Sequence, residues 1–257
     1  MLPYLLERTI VIQAARDIVF RFFTDNARWA AWWGSGSTID ARPGGQVLIR
    51  YPNGVEVRGE VLEVLESERI VFTYGYATGK PIPAGSSRVT VLLEAHEAGT
   101  ELRLTHEFAE AAVRDLHVQG WRYQLALFGN VVADEVHADA AGLVDAWFAA
   151  WSMADERERT DALARIARPG VHFRDRFSLV DGLPDLAAHI GGALRFMPGI
   201  RMLRKGDVRH CQGTVLADWT AVAGDGVERM SGTNVFLLAP DGRIDSATGV
   251  LNPPAKP

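Results

Sequence analysis

Polar and apolar residues alternate from the start of the chain. Over Glu7 to Gln13, Arg8, Ile10 and Ile12 interleave with Thr9 and Val11, and a period of two predicts a strand. From Asp17 the period changes: Ile18, Val19, Phe22 and Phe23 fall at helical spacing and predict a short helix. An aromatic connection with Trp29, Trp32 and Trp33 follows, broken by Gly34 and Gly36. Strand signals then dominate, at Gln46 to Tyr51, Val55 to Val64, Arg69 to Tyr76, Arg88 to Glu94 and Thr100 to Phe108. Pro43-Gly44-Gly45, Pro52-Asn53-Gly54 and Ala98-Gly99 supply the turns between them. A long helix is predicted from Ala111 to His137. It carries two apolar stripes, one of Leu116, Gly120, Leu127 and Val131, the other of Trp121, Leu125, Phe128 and Val132. So wide an arc implies burial on more than one side, as a lid on its own sheet or against a second domain. Gly120 weakens such a helix, and close packing of its backbone on the sheet is the expected reason.

The pattern restarts after a break near Ala138 to Gly142. Leu143, Val144, Trp147, Phe148 and Trp151 form an amphipathic helix. A second helix is predicted from Thr160 as N-cap through Leu163 and Ile166, stopped by Arg168-Pro169-Gly170. A short strand, Val171 to Asp175, precedes a helix from Pro184 to Arg195, with proline in its first turn. Strands are predicted at Ile200 to Arg204, Val208 to Gln212, Val215 to Val222, Met230 to Leu238 and Arg243 to Val250, with a loose tail at 252–257. Runs of consecutive strands with segregated helices make the fold class α+β, in two domains, 1–138 and 139–257.

Composition narrows the function classes. Of 257 residues, 47% are hydrophobic and 23% charged, which suits a folded chain with a core in each half. The net charge of −5, without a Lys/Arg block, lacks the footprint of a nucleic-acid binder. The single cysteine, Cys211, leaves no internal disulfide. The start lacks the basic head and long apolar run of a signal peptide, and no stretch is long enough to span a bilayer, so a cytoplasmic location is expected.

The first half carries Arg8-x-Ile10, Val19-Phe20, Trp29, Trp32-Trp33 and Asp40-x-Arg42-Pro43-Gly44-Gly45. Further along it carries Gly59 to Val64, Arg69 to Tyr74, Gly99-Thr100-x-Leu102-x-Leu104-Thr105-His106 and Asp115-x-His117-x-x-Gly120-Trp121. On these residues it resembles the START-like helix-grip superfamily known as SRPBCC, in the branch named for the C-terminal domain of the heat-shock-protein-90 ATPase activator. The resemblance implies an antiparallel sheet gripping a long C-terminal helix around an apolar cavity. The second half carries the Trp147-to-Trp151 helix, Val171-x-Phe173-x-Asp175, Gly182 before His189-Ile190, Trp219, Gly232 and Asp241-Gly242-Arg243-Ile244. On these it resembles the SnoaL-like branch of the nuclear transport factor 2-like fold, a cone-shaped α+β barrel. That resemblance implies small-molecule binding, or polyketide-cyclase, isomerase or dehydratase chemistry, and a homodimer through the open sheet face. The first resemblance brings a chaperone partner into view.

Candidate chemistry follows from these placements. The seven scattered histidines and one cysteine show no metal-ligand spacing, and no phosphate-cradling loop or G-x-S-x-G elbow occurs, so no cofactor is expected. His106 shares strand parity with Leu102, Leu104 and Phe108 and points inward, as a hydrogen-bonded core histidine or as a polar anchor in an apolar pocket. Trp32, Trp33, Tyr74 and Tyr76 would line that pocket or fill the core. In the second half Trp147 and Trp219 are candidate lining residues. By resemblance to ketosteroid isomerases, Asp175 sits where their proton-abstracting aspartate lies, a role that an apolar surrounding favours. Their tyrosine is replaced here by Trp147 and their acid by Asn234, both weaker acids for holding an enolate. His172, His189, His210 and Asp218 are further polar candidates. The preferred reading is binding of an apolar or aromatic small molecule; the alternatives are an enzyme with Asp175 as base, and a protein-binding module.

Overall fold

A computed structural model describes residues 2–253, so part of the tail expected to be loose, 254–257, lies outside the described residues. The chain divides into two compact units, Met1–Glu135 and Val136–Pro257. Both are α+β, and each is built on one open sheet.

In the first unit, β1 (Tyr4–Ile12) leads into α1 (Arg16–Arg21) and α2 (Asn26–Trp33). There follow β2 (Thr38–Ile39), β3 (Gln46–Arg50), β4 (Glu56–Leu65), β5 (Arg69–Tyr74), β6 (Ser87–His96), β7 (Gly99–Phe108) and α3 (Ala111–Val136). The strands pair antiparallel in the order β1-β7-β6-β5-β4-β3-β2. Helix α2 corrects the expected connection: Asp25 caps it, its side chain accepting from Arg28 N at 2.9 Å. The helix then presents Trp29, Trp32 and Trp33, all buried, to the core. On β7 the residues Leu102, Leu104, His106 and Phe108 are buried while their neighbours are not, as the alternation required.

Only one of the two stripes on α3 is buried deeply. Trp121, Leu125, Phe128 and Val132 pack inward, Phe128 meeting Phe22, Phe23 and Trp32, whereas Leu116 is 70% exposed. Gly120 lies on the outer face with no atom within 4 Å of where its Cβ would stand, so close packing does not account for it. Gly120→Ala is therefore expected to raise the stability of this unit by about 0.5–1 kcal/mol, read as a higher midpoint in urea denaturation.

The second unit runs α4 (Ala140–Ala150), α5 (Glu156–Ile166), β8 (Ala167–Arg174), β9 (Leu179–Asp181), α6 (Leu183–Phe196), β10 (Arg201–Cys211), β11 (Thr214–Val222), β12 (Glu228–Leu238) and β13 (Ile244–Leu251). Its sheet order is β10-β11-β12-β13-β8-β9, antiparallel except for the parallel pair β13–β8. The sheet is not closed into a barrel: β10 and β9 are its two edges. The core lies between one sheet face and the helices. Val144, Trp147 and Phe148 of α4 and Leu186 and Ile190 of α6 meet Val215, Ala217, Trp219, Phe236 and Ala247 from the strands.

Three boundaries differ from expectation. Helix α5 starts a turn earlier than Thr160, because Asp155 caps it by accepting from Glu158 N at 2.8 Å. Thr160 sits inside the helix and donates its hydroxyl to Glu156 O. The two strands expected before Cys211 form one, β10, irregular between Lys205 and Arg209 around Gly206. β8 begins ahead of Pro169, in a stretch where its register with β13 shifts, so the missing N–H of proline falls outside the regular ladder.

Candidate functional site

A cavity of about 320 Å³ opens in the second unit between the sheet and α6. Most of its wall is apolar: Phe173 of β8, Leu194 and Met197 at the end of α6, Met202 of β10, Ala221 of β11 and Met230 of β12 are among the residues that line it. Three methionines in one wall make that wall deformable and polarisable. Alternation decides which strand residues face it. On β11, Trp219 and Ala221 are buried and face inward, while Asp218 and Thr220 do not line the cavity.

The polar groups cluster at one place, which strand register creates. Asn234 on β12 pairs with Gly249 on β13, and the parallel pairing of Thr248 with Arg174 brings the next residue of each strand, Gly249 and Asp175, side by side. A Cβ on Gly249 would stand 3.3 Å from Asn234 Oδ1 and 3.3 Å from Asp175 Cβ, so a glycine here keeps the space between the two side chains open. Asp175 Oδ1 accepts from Phe177 N at 2.8 Å, which turns the chain back toward β9. Trp219 Nε1 donates to Asn234 Oδ1 at 2.9 Å. The indole can lie across β12 because its cross-strand partner is Gly232, where a Cβ would come within 2.7 Å of the ring. Ser178 Oγ and His189 Nε2 are 3.1 Å apart, and the His189 ring lies near Trp151 and Phe173.

Of the residues singled out in the second half, Asp175, Trp219, Asn234 and His189 therefore meet in one cavity. Trp147 does not line it. It is fully buried in the core against Phe173 and Phe236, and Trp151, one helical turn on, takes the lining position. His172 is exposed and pairs with Asp181 at 2.6 Å. Asp218 faces away and accepts from Thr233 Oγ1 at 2.5 Å. His210 Nε2 accepts from Gly213 N and lies 3.2 Å from His137 Nδ1. Ser178, the methionines and Gly249 were not singled out. Trp151 could have been found from its i, i+4 spacing to Trp147, whereas Gly249 depends on the register of three strands.

The four candidates of the first unit, Trp32, Trp33, Tyr74 and His106, are core residues in two contacting pairs that Trp121 links. Trp32 and Trp33 stack at 4.2 Å between centroids, Tyr74 meets His106 at 5.0 Å, and all four are at most 3% exposed. The hydrogen bonds of His106 settle its tautomer. Trp121 Nε1 donates to His106 Nδ1 at 2.9 Å, and Ser87 Oγ, which donates to Tyr74 O, lies 2.8 Å from His106 Nε2. His106 must then carry its proton on Nε2 and donate it to Ser87. Burial, and after it the neighbouring His117, holds the pKa of His106 well below the usual 6.5. Burial also lowers that of His117, against the opposing hydrogen bond to Val113 O, and Tyr76 Oη lies 3.3 Å from its Nε2. Burial pushes Tyr51, 3.2 Å from the Tyr74 hydroxyl, up to about 12.

Among the described residues, no helix is long and apolar enough to cross a membrane. No curated protein matches the chain. Solved structures similar to parts of it include a proposed isomerase of the SnoaL-like family from Agrobacterium tumefaciens, at 24% identity over 46% of this chain and 99% of that one, with a TM-score of 0.43. The Aha1 dimer from Colwellia psychrerythraea matches at 17% identity over 48% of this chain and 90% of that one, with a TM-score of 0.42. CalU16 from Micromonospora echinospora matches at 24% identity over 51% and 76%, with a TM-score of 0.41. Residues 13–133, most of the first unit, match the family model described as Activator of Hsp90 ATPase homolog 1-like protein.

Proposed function

We propose that the chain binds an apolar or aromatic small molecule in the cavity of its second unit. In this reading residues 1–138 are a START-like domain and 139–257 a SnoaL-like domain that holds the ligand. The observation that carries it is an apolar cavity of about 320 Å³ with its few polar groups gathered at one end, the usual build of a small-molecule site. Titration of the full chain with 1-aminoanthracene, followed by fluorescence, is expected to show saturable binding of one equivalent. Ala193→Phe, which fills the cavity from a half-buried position on α6, is expected to remove it. Binding unaffected by that substitution would contradict the assignment.

The second reading is an enzyme in which Asp175 takes a proton from the bound molecule. The observation that favours it is the placement of Asp175 and Asn234 around one open space in the cavity. An amide at position 175 keeps the oxygen that accepts from Phe177 N but loses the base. Asp175→Asn is thus expected to abolish turnover, to below about one part in a hundred, with a melting temperature close to that of the parent. Turnover that survives the substitution rules this reading out.

A further inference from the structure

The rim of the cavity in the second unit differs from its wall. Where α6 gives way to β10, Leu194, Met197, Ile200 and Met202 line the cavity. The residues between them turn to water: Arg195, Phe196 and Arg201 are exposed, Phe196 by 89%. The pattern recurs on the turn between β8 and β9. Phe177 lines the cavity yet is 77% exposed, and the guanidinium of exposed Arg176 lies 5.9 Å from its ring. Ser178 meets His189 at 3.1 Å and holds this turn to α6, so the two Arg-Phe steps belong to one rim. Rings left so far in water add little to the core. Among the described residues, Arg176, Arg195 and Arg201 have no carboxylate partner, in a chain whose net charge is −5. The turn between β11 and β12 borders the cavity through Ala221 and Met230. Its Asp225 is taken by Arg229 at 2.5 Å, which leaves exposed Glu228, with Asp175 inside the cavity, against the three arginines.

We infer that this rim docks the second unit on an anionic lipid surface. Phe177 and Phe196 enter the headgroup layer, and Arg176, Arg195 and Arg201 meet the negative charge of the lipids. A bilayer offers charge above apolar depth at both Arg-Phe steps and asks for no shape match, which suits rings that have no groove of their own. A cavity mouth held there lets an apolar ligand pass between lipid and protein without crossing water. That passage rests on the reading of the cavity as a small-molecule site; the docking does not.

Flotation of the full chain with vesicles of phosphatidylcholine containing about one third phosphatidylserine, and with vesicles of phosphatidylcholine alone, tests this. Binding to the anionic vesicles is expected to be at least about tenfold tighter, and to weaken in about 0.5 M salt. Arg176→Gln combined with Arg195→Gln is expected to cost at least about tenfold on anionic vesicles, and Phe196→Ser at least about threefold. These three side chains are exposed and do not line the cavity, so the variants are expected to melt with the parent and to take up 1-aminoanthracene as it does. A chain that ignores both kinds of vesicle, binds them equally, or binds undiminished in both variants overturns the inference, while the dye titration still decides the cavity reading. A dimer that Phe196→Ser separates, with no vesicle binding, gives the rim to a second copy and overturns it as well. Vesicle binding without dye uptake leaves the docking standing and removes the cavity reading.

Discussion

Trp147→Ala is expected to destabilise the second unit by about 3–5 kcal/mol, enough to unfold it in much of the population at physiological temperature. The side chain is fully buried, and its ring meets Trp151, Phe173 and Phe236. Truncation removes that apolar area from the core and leaves a void among rigid neighbours on α4, β8 and β12. Trp147→Phe is expected to be far milder, at about 1–2 kcal/mol, because the indole N–H has no partner in the fold and its loss breaks no hydrogen bond. The contrast separates a core role from a lining role. Were Trp147 in the cavity wall, the Ala variant would widen the cavity and change ligand affinity while leaving stability nearly intact. Urea denaturation of both variants, with the slope compared to that of the parent, distinguishes the two.

The first unit is expected to lose stability steeply as the pH falls below 6.5. His106 and His117 are neutral in the fold, with pKa values lowered by burial, while in the unfolded chain both take up protons near 6.5. Between the lowered values and 6.5 the unfolded state binds more protons, so stability is fully present above 6.5 and is lost as the pH falls toward the folded values. Each histidine contributes a slope of up to about 1.4 kcal/mol per pH unit within its window. Protonating His106 in place would also abolish its acceptance from Trp121 Nε1, a buried bond between β7 and α3. Hydrogen exchange of peptides from β7 and α3 at pH 7.5 and 5.5, corrected for intrinsic rates, reads this directly. His106→Leu is expected to be less stable at pH 7.5, since Ser87 and Trp121 lose their partner, and to show a shallower dependence on pH. A parent protein whose protection is flat across that range would show that neither histidine is held neutral.

Much of the strand structure was legible because a half-buried strand writes its period of two into the sequence. Over most of their length β6, β7, β11 and β12 alternate buried residues with half-buried or exposed ones, with glycine turns between them. What stayed illegible depends on contacts rather than period. Helix α2 was hidden by three tryptophans ahead of Gly34, although Asp25 carried a capping signal. β9 has three residues, too few for any pattern, and Leu179 at its start is 79% exposed. At the site, Trp219 was named from the resemblance alone, and its buried position on β11 sets it in the cavity wall. Trp147 and Trp151 are one turn apart and differ by only about 40° around the helix. Hydrophobicity alone does not say which of them meets the cavity. Gly249 had no signal of its own, because its role exists only once β12, β13 and β8 lie in register.

A small apolar molecule in the cavity of the second unit would show itself in native mass spectrometry of the freshly purified chain, followed by denaturing extraction. A stoichiometric small-molecule adduct is expected, and it is expected to be absent from Ala193→Phe purified in the same way. An adduct that persists in Ala193→Phe, or a bare parent chain that also fails to take up added 1-aminoanthracene, would overturn that assignment.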